Sequence, residues 1–473
     1  MTPKKIAAFA LGPIGGAALG LITLPIVAWF FSPDDIGRLS MLHVTLSFSI
    51  LLFSLGLDQA YVREFHEVTD KPVLLKSVFL PGFVLLTIGI VILALMPWSM
   101  SVLLFGIDSK LLTGLLIVAI LLQFSSRFLS LILRMQEKGF AYSMSQILPK
   151  LFFLSVLGCY FLFSVEAIFE NLMIANLLSL SAVFLIYTWN TRKDWLAALT
   201  ARIDKNKLKR MISFGLPLIG SGIAFWGLTA MDKFFIRGFS SFKELGIYSV
   251  AISFAALALV FQSVFSTVWA PIVYKWASEG LDPHKVKNIT DYSTLAVISI
   301  WSLAGMFSWL VTYILPPKYD QVQYILLASM AHPLLYTLSE ATGVGIGVKR
   351  KTAYAMLAAL VALLLNAIGN WYLVPKHGAA GAAVASAFAF LAFFIVRTEV
   401  SARLWQSFER VRMYILVLCM VILSSAINFI EIKPISMFIL YFMTLLSSIV
   451  LFNSQFKVLL SSILSLFKKS IKT

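Results

Sequence analysis

The sequence predicts an all-α integral membrane protein of about 14 transmembrane helices, and three observations carry that prediction. Of its 473 residues 60% are hydrophobic and only 13% are charged, with a mean hydropathy of +0.90, a composition too apolar for a soluble domain of this size. The apolar residues gather in stretches of about 20 or more, long enough to cross a hydrocarbon core of roughly 30 Å. Lys and Arg also favour alternate loops. Starting from the N-terminal side, alternate loops and both tails hold roughly 28 of them and the opposite loops and adjoining helix ends roughly 8, so both termini are expected in the cytoplasm.

The first six spans are expected at 6–31, 38–62, 73–97, 111–134, 140–163 and 167–190. The first follows Lys4 and Lys5 and runs on without a small-residue cleavage site, which reads as an uncleaved helix rather than a signal peptide. Gly12, Pro13, Gly15, Gly16, Gly20 and Pro25 crowd it. Such a helix either bends or packs closely on a neighbour, with Gly16 and Gly20 forming a GxxxG pair. In the second span His43, Ser47, Ser54 and Asp58 keep one face polar, and the chain runs on to Arg63. In the fourth, Gln123, Arg127, Ser130 and Arg134 recur at i, i+4, i+7 and i+11, and Ser143, Gln146 and Lys150 repeat the pattern in the fifth. That period places each set on one helix face.

A basic linker at 191–209 follows, and the largest cationic cluster runs from Arg192 to Arg210 and contains Lys205, Lys207 and Lys209; its expected role is to anchor topology or to touch anionic lipid. Six more spans are expected at 210–236, 244–270, 288–315, 321–346, 352–374 and 379–398. Gly215, Pro217, Gly220 and Gly222 crowd the start of the seventh span, and Thr229, Lys233 and Arg237 sit at i, i+4 and i+8 towards its outer end, beside Asp232. The tenth offers Ser329, His332, Tyr336 and Glu340 on one face, and the eleventh Asn366 and Asn370. A final pair at 412–431 and 435–452 precedes a basic amphipathic tail carrying Phe456, Leu459, Leu460, Ile463, Leu464 and Phe467, suited to lie on the cytoplasmic leaflet.

The expected organisation is therefore an N-terminal six-helix lobe over 1–190, the cytoplasmic linker 191–209, a second six-helix lobe over 210–398, and the helix pair with its tail over 399–473. The two lobes carry a faint repeat. Phe31-Ser-Pro-Asp-Asp-Ile-Gly-Arg-Leu-Ser40 lines up with Ser240-Ser-Phe-Lys-Glu-Leu-Gly-Ile-Tyr-Ser249. Six helices intervene, so the lobes are expected to be parallel, related by an axis along the membrane normal.

Several chemistries are missing from the sequence. No GxxxxGK[ST] loop occurs, and Gly343, Gly345 and Gly347 before Lys349, Arg350 and Lys351 read as a helix end with a positive-inside cluster. His43, His66, His284, His332 and His377 are scattered without HExxH spacing, and Cys159 and Cys419 lie inside spans without metal-ligand spacing. An enzyme, a resident cofactor and a metal site are not expected, and the net charge of +16 is accounted for by loop asymmetry rather than by nucleic acid. The residues that remain are cations in apolar spans, which normally face a partner or a water-filled cavity. Arg127 and Lys150 are the deepest, about 10 Å or more from the nearest helix end at 1.5 Å per residue. Their alternative use is an internal ion pair that holds helices together. A cationic cavity suits an anionic substrate, Arg offering a fork to phosphate and Lys a point charge.

Ser32-Pro-Asp-Asp-Ile-Gly37 followed by Gly56-Leu-Asp-Gln-Ala-Tyr-Val-Arg63 resembles the opening of the polysaccharide-biosynthesis flippases, the Wzx group of the MOP (multidrug/oligosaccharidyl-lipid/polysaccharide) superfamily. Leu216-Pro217, Asp232-Lys233 and Gly246-Ile-Tyr-Ser249 resemble that family's seventh and eighth helices. Asn366, Val374-Pro375, Gly378 and Gly381-Ala-Ala383 resemble its C-terminal region. The resemblance implies a V-shaped bundle of two six-helix lobes plus a helix pair in the bacterial inner membrane. It implies a flippase that moves undecaprenyl-pyrophosphate-linked oligosaccharide, an O-antigen or related repeat unit, from the cytoplasmic to the periplasmic leaflet by alternating access. The pyrophosphate would then be the ligand of the cationic cavity. Where the family often has Arg after the seventh-helix Asp, this chain has Lys233, which keeps the charge and loses the bidentate geometry.

On this reading the substrate-binding candidates are Arg127, Lys150, Arg237, Lys233, Arg63, Gln123 and Gln146. The coupling or gating candidates are Asp58, Asp232, His332 and Glu340, with a proton or sodium ion as the coupling ion. The expected partners are the lipid-linked oligosaccharide, membrane lipids, and a polysaccharide polymerase with its chain-length regulator. The rival readings are a multidrug/cation antiporter of the same superfamily, a lipid II flippase, and a membrane scaffold for glycosyltransferases. The cationic stripes argue against the antiporter.

Overall fold

The computed structural model describes residues 3–96, 98–278, 283–430 and 432–470; among them are helices and no strand. The side chains of Lys4, Lys5, Pro13 and His284, and of the tail residues Ile463, Leu464 and Phe467, lie outside the described set. By its internal contacts the chain divides into two units, Met1–Lys233 and Phe234–Thr473.

The first unit contains α1 (Pro3–Phe30), α2 (Pro33–Phe53), α3 (Leu57–Glu64), α4 (Lys71–Leu95), α5 (Met100–Phe105), α6 (Lys110–Met135), α7 (Gly139–Leu162), α8 (Phe169–Asn190), α9 (Arg192–Thr200) and most of α10 (Lys205–Phe239). The second contains the end of α10, then α11 (Phe242–Ser278), α12 (Pro283–Phe307), α13 (Val311–Ile314), α14 (Val322–Ser329), α15 (Ala331–Val348), α16 (Ala353–Leu404), α17 (Val411–Ala426), α18 (Pro434–Leu451) and α19 (Asn453–Ser470). Among the described residues ten helical segments are long and apolar enough to cross a membrane, and each of the fourteen expected spans falls on one of the helices α1 to α18 or on consecutive pieces of them. Large apolar side chains point outward along them, Leu95 at 80% exposure and Val450 at 73%, which fits lipid rather than water as the surrounding solvent.

Local chemistry sets the helix boundaries. Ser32 caps α2 in a capping box: its hydroxyl accepts the Asp35 N–H at 3.2 Å, the Asp35 carboxylate accepts the Ser32 N–H at 3.4 Å, and Pro33 fills the first turn. Asp204 opens α10 by accepting the Lys207 and Asn206 backbone N–H groups, each at 3.0 Å, and these bonds hold its carboxyl below the usual carboxylate range.

The structure departs from the expected spans in several places, the ninth among them, where α12 ends at Phe307 and α13 takes up at Val311. The second span breaks between α2 and α3, where Leu55 and Gly56 take left-handed φ values of 54° and 66°. A Cβ added at Gly215 of α10 would lie 2.5 Å from the Leu55 carbonyl oxygen, so backbone meets backbone at this break and only glycine fits. The tenth span is likewise two pieces, α14 and α15. The linker is not simply a loop, because α9 forms within it and α10 begins at Lys205.

The eleventh and twelfth spans, finally, form one continuous element, α16, that doubles back at Gly378 (φ 50°, ψ −124°). Asn366 meets Ser386 at 2.9 Å, and a Cβ on Gly369 would lie 2.9 Å from that of Ala385, the pairing of an antiparallel hairpin. The Glu244 carboxylate accepts the Ala379 N–H at 2.9 Å and so caps the second arm. In the first unit the apolar core includes the rings of Phe79, Phe83, Phe124 and Phe128, which bring α4 onto α6. In the second, buried Trp301 of α12 donates to the Leu327 carbonyl of α14 at 2.9 Å.

Candidate functional site

α7 shapes the site in the first unit through Pro149. A proline has no N–H, so the carbonyl four residues earlier loses its helical donor. That carbonyl, on Ser145, accepts the Tyr187 hydroxyl of α8 at 2.9 Å, and the Pro149 carbonyl accepts the Ser179 hydroxyl, also from α8. The bend is thereby satisfied by one neighbour, and Gln146 and Lys150 on either side of it face inward.

Two cavities adjoin there. One, of about 440 Å³, is lined by Gln123, Ser126, Arg127, Ser130 and Gln146. The other, of about 430 Å³, is lined by Gly20, Thr23, His43, Lys150 and Asn176. They share Ser47, Ile50, Gln123, Pro149 and Leu180, so together they make one cleft inside the first unit, polar along the stripes of α6 and α7 and apolar towards Leu24, Leu39, Leu46 and Phe153. The sequence stripes on α6 and α7 converge on it.

Arg127 does not stand alone in this cleft. Its Nη2 donates to Asp58 Oδ2 at 2.7 Å, and Gln59 Nε2 donates to the same oxygen at 3.2 Å. Two residues assigned separate roles from sequence, a binder and a coupling group, are thus one ion pair, and α2's broken end is what carries Asp58 to α6. Lys150 donates its Nζ to the Gly16 carbonyl of α1, and no carboxylate pairs with it among the described residues. A Cβ on Gly20 would lie 2.8 Å from that ammonium. The glycine stripe of α1 therefore packs on α7, Gly12 against Ser143, Gly15 against Ile147 and Gly20 against Lys150, which is the close-packing use of the GxxxG pattern.

His43 shares a hydrogen bond with Asn176 at 3.2 Å and lies within coulombic reach of Lys150 and Lys233. Lys233 is thus brought to the same region, beside buried Asp232. Trp226 of α10 donates to the Ser47 hydroxyl at 3.1 Å. Arg63 is exposed at the end of α3 with its guanidinium over the Phe214 ring at 4.5 Å, away from the residues that line the cleft.

The remaining candidates belong to the second unit. Arg237 lies over the Phe242 ring at 4.3 Å. His332 stacks on Phe390 at 4.2 Å. Glu340 accepts the Ser266 hydroxyl and its carbonyl accepts Trp269 Nε1, with Arg397 nearby donating to the Ser339 hydroxyl at 3.0 Å. Sequence reading passed over Arg397 because it ends a span and resembles a terminal anchor. It also passed over Asn176 and Tyr187, whose signal was the proline on the neighbouring helix that needs donors from outside.

The cleft can hold an anion. An ammonium, a guanidinium, three carboxamides, an imidazole and several hydroxyls face it, and Asp58 engages the guanidinium on one side. A phosphate could take the donors left on that guanidinium and the ammonium of Lys150.

Comparison with known proteins places the chain among relatives. A family model described as polysaccharide biosynthesis protein matches residues 3–276. The probable low-salt glycan biosynthesis flippase Agl15 of Haloferax volcanii is 22% identical over 209 residues. That match spans 43% of this chain and 43% of the relative, less than half the length of either. Among solved structures, the lipid II flippase MurJ in an inward closed conformation aligns with a TM-score of 0.67 at 14% identity, covering 96% of this chain and 99% of that one. An inward-facing multidrug resistance MATE family transporter of the MOP superfamily aligns with a TM-score of 0.57 at 15% identity, covering 82% and 95%. At such identities the structural likeness speaks for the fold alone, a helical membrane bundle.

Proposed function

Because the chain belongs to the polysaccharide biosynthesis protein family, we propose that it is a flippase for a lipid-linked oligosaccharide. In this reading the lipid is a polyprenyl pyrophosphate such as undecaprenyl pyrophosphate, and the glycan is an O-antigen or related surface repeat unit. The substrate moves from the cytoplasmic to the periplasmic leaflet of a bacterial inner membrane by alternating access. The observation that carries the reading is the polar cleft of the first unit, in which Lys150 and Arg127 flank Gln123 and Gln146. Pyrophosphate is the chemistry those donors fit, while the sugars meet the amides and hydroxyls. Buried Asp58 and Asp232, with half-buried His332 and Glu340, are the groups assigned to proton or sodium coupling. Handover to a polymerase and its chain-length regulator belongs to the same proposal.

Proteoliposomes with a fluorescent polyprenyl-pyrophosphate oligosaccharide test it. The wild-type chain accelerates translocation, Lys150→Ala abolishes it without loss of folded protein, and Lys150→Arg retains part of it. Translocation at the normal rate by Lys150→Ala would remove the cleft from the mechanism, and no acceleration by the wild type would remove the function.

A further inference from the structure

Behind the polar cleft the first unit holds a second, different cavity. An apolar crevice of about 360 Å³ is lined by Phe79 of α4, Phe128 and Leu129 of α6, Phe184 of α8, and Trp195 and Leu199 of α9, a size within the range of small-ligand sites. The cleft and the crevice lie back to back. On α6, Gln123, Arg127 and Ser130 line the first and Ser125, Phe128 and Leu129 the second; on α8, Val183 and Tyr187 line the first and Phe184 and Thr188 the second. Helix walls separate the two.

The cover of this crevice, α9, is fastened on three sides. Trp195 Nε1 donates to the Thr188 carbonyl at 3.0 Å, Gln136 Nε2 donates to Asp194 at 2.8 Å, and Lys76 Nζ donates to the Leu199 carbonyl at 2.7 Å. Cations stand at and near the rim: Lys76 lines the crevice itself, and Arg192 and Lys193 are exposed in the first turn of α9, the Arg192 guanidinium lying over the Trp189 ring at 4.4 Å and donating to the Trp189 carbonyl at 2.9 Å. Asp194, the carboxylate among them, is engaged by Gln136.

We propose that the crevice is a binding site for one acyl chain of an anionic phospholipid, whose headgroup phosphate meets Lys76, Arg192 and Lys193. The apolar lining matches hydrocarbon, and the rim matches the headgroup charge. The occupant is a membrane phospholipid and not the transported lipid, because a substrate with its phosphates in the cleft has α6 and α8 between it and this crevice. The bound lipid secures the linker segment to the bundle. The site stands whichever molecule the cleft transports.

The test uses the full chain in nanodiscs doped with phosphatidylglycerol bearing a diazirine on its acyl chain, with adducts mapped by peptide mass spectrometry. Adducts are expected on the crevice residues of α4, α6 and α9. Leu129→Trp, which fills the crevice, removes them. Lys76→Glu, a change at the rim, lowers the phosphatidylglycerol adducts about fivefold or more and leaves those of an equally labelled phosphatidylcholine unchanged. Equal labelling by the two lipids in the wild type, or adducts indifferent to both substitutions, overturns the proposal. Displacement of the labelled lipid by excess polyprenyl pyrophosphate also overturns it, by giving the crevice to a substrate tail.

Discussion

Removing the charge of Arg127, of Asp58, and of both separates two uses of one ion pair. With charge centres about 4 Å apart and an effective dielectric of about 20, the pair attracts by about 4 kcal/mol. The Arg127 side chain is 35% exposed and that of Asp58 only 10%, so water screens one end while the other has lost its hydration. The net coupling expected is about 1–3 kcal/mol. Graded SDS unfolding of Arg127→Ala, Asp58→Asn and the double variant should show it: each single substitution destabilises, and the double costs less than their sum by about that amount. Surface glycan made in a strain lacking its own oligosaccharide flippase gives the second readout. If Arg127 also holds pyrophosphate, the double variant recovers stability without recovering export. Recovery of both would refute the binding role, leaving Arg127 as a counter-ion for Asp58.

Four further substitutions probe the cleft and the helices of the second unit. Gly20→Ala places a Cβ 2.8 Å from the Lys150 ammonium, the flexible end of its side chain, so stability should change by less than about 1 kcal/mol while export falls; unchanged export would count against the position of Lys150. Tyr187→Phe strips the Ser145 carbonyl of its donor and should cost about 1–3 kcal/mol, but far less in a Pro149→Ala background, where the restored helical N–H takes that carbonyl. Equal costs in both backgrounds would contradict the assigned bend. Gly378→Ala forces a side chain to φ 50° against Glu244 and should cost about 1–3 kcal/mol. Gly238→Ala, which meets nothing within 4 Å in α10, should be neutral or stabilising in the same unfolding assay.

Hydropathy and loop charge made the helices legible, because apolar length and the positive-inside bias are properties of the chain itself. The polar stripes on α6 and α7 were legible for the same reason: 3.6-residue periodicity fixes a face. Which face meets which was not. Nothing in the spacing of Asp58 and Arg127, 69 residues apart, says that a break at Leu55 and Gly56 aims one at the other. The pattern of Gly12, Gly16 and Gly20 left bending and packing open, and only the neighbouring helix decides between them. α9 was invisible because nine residues in a charged linker carry too little periodicity to register, and Arg397 carries no signal of its own because an arginine at a span end has a commonplace explanation.

The hairpin of α16 reverses direction with a single non-helical residue between its arms. Most turns between spans can lengthen, carry a tag or suffer a protease nick, because the added chain spills into water. Here there is no slack to spill. One residue added on either side of Gly378 would rotate an arm by about 100°, carrying Asn366 and Asn370 away from Ser386 and lifting the Glu244 cap off Ala379. Length variation among homologous chains, and any engineered insertion, should therefore collect in segments such as 201–203 and avoid 376–380.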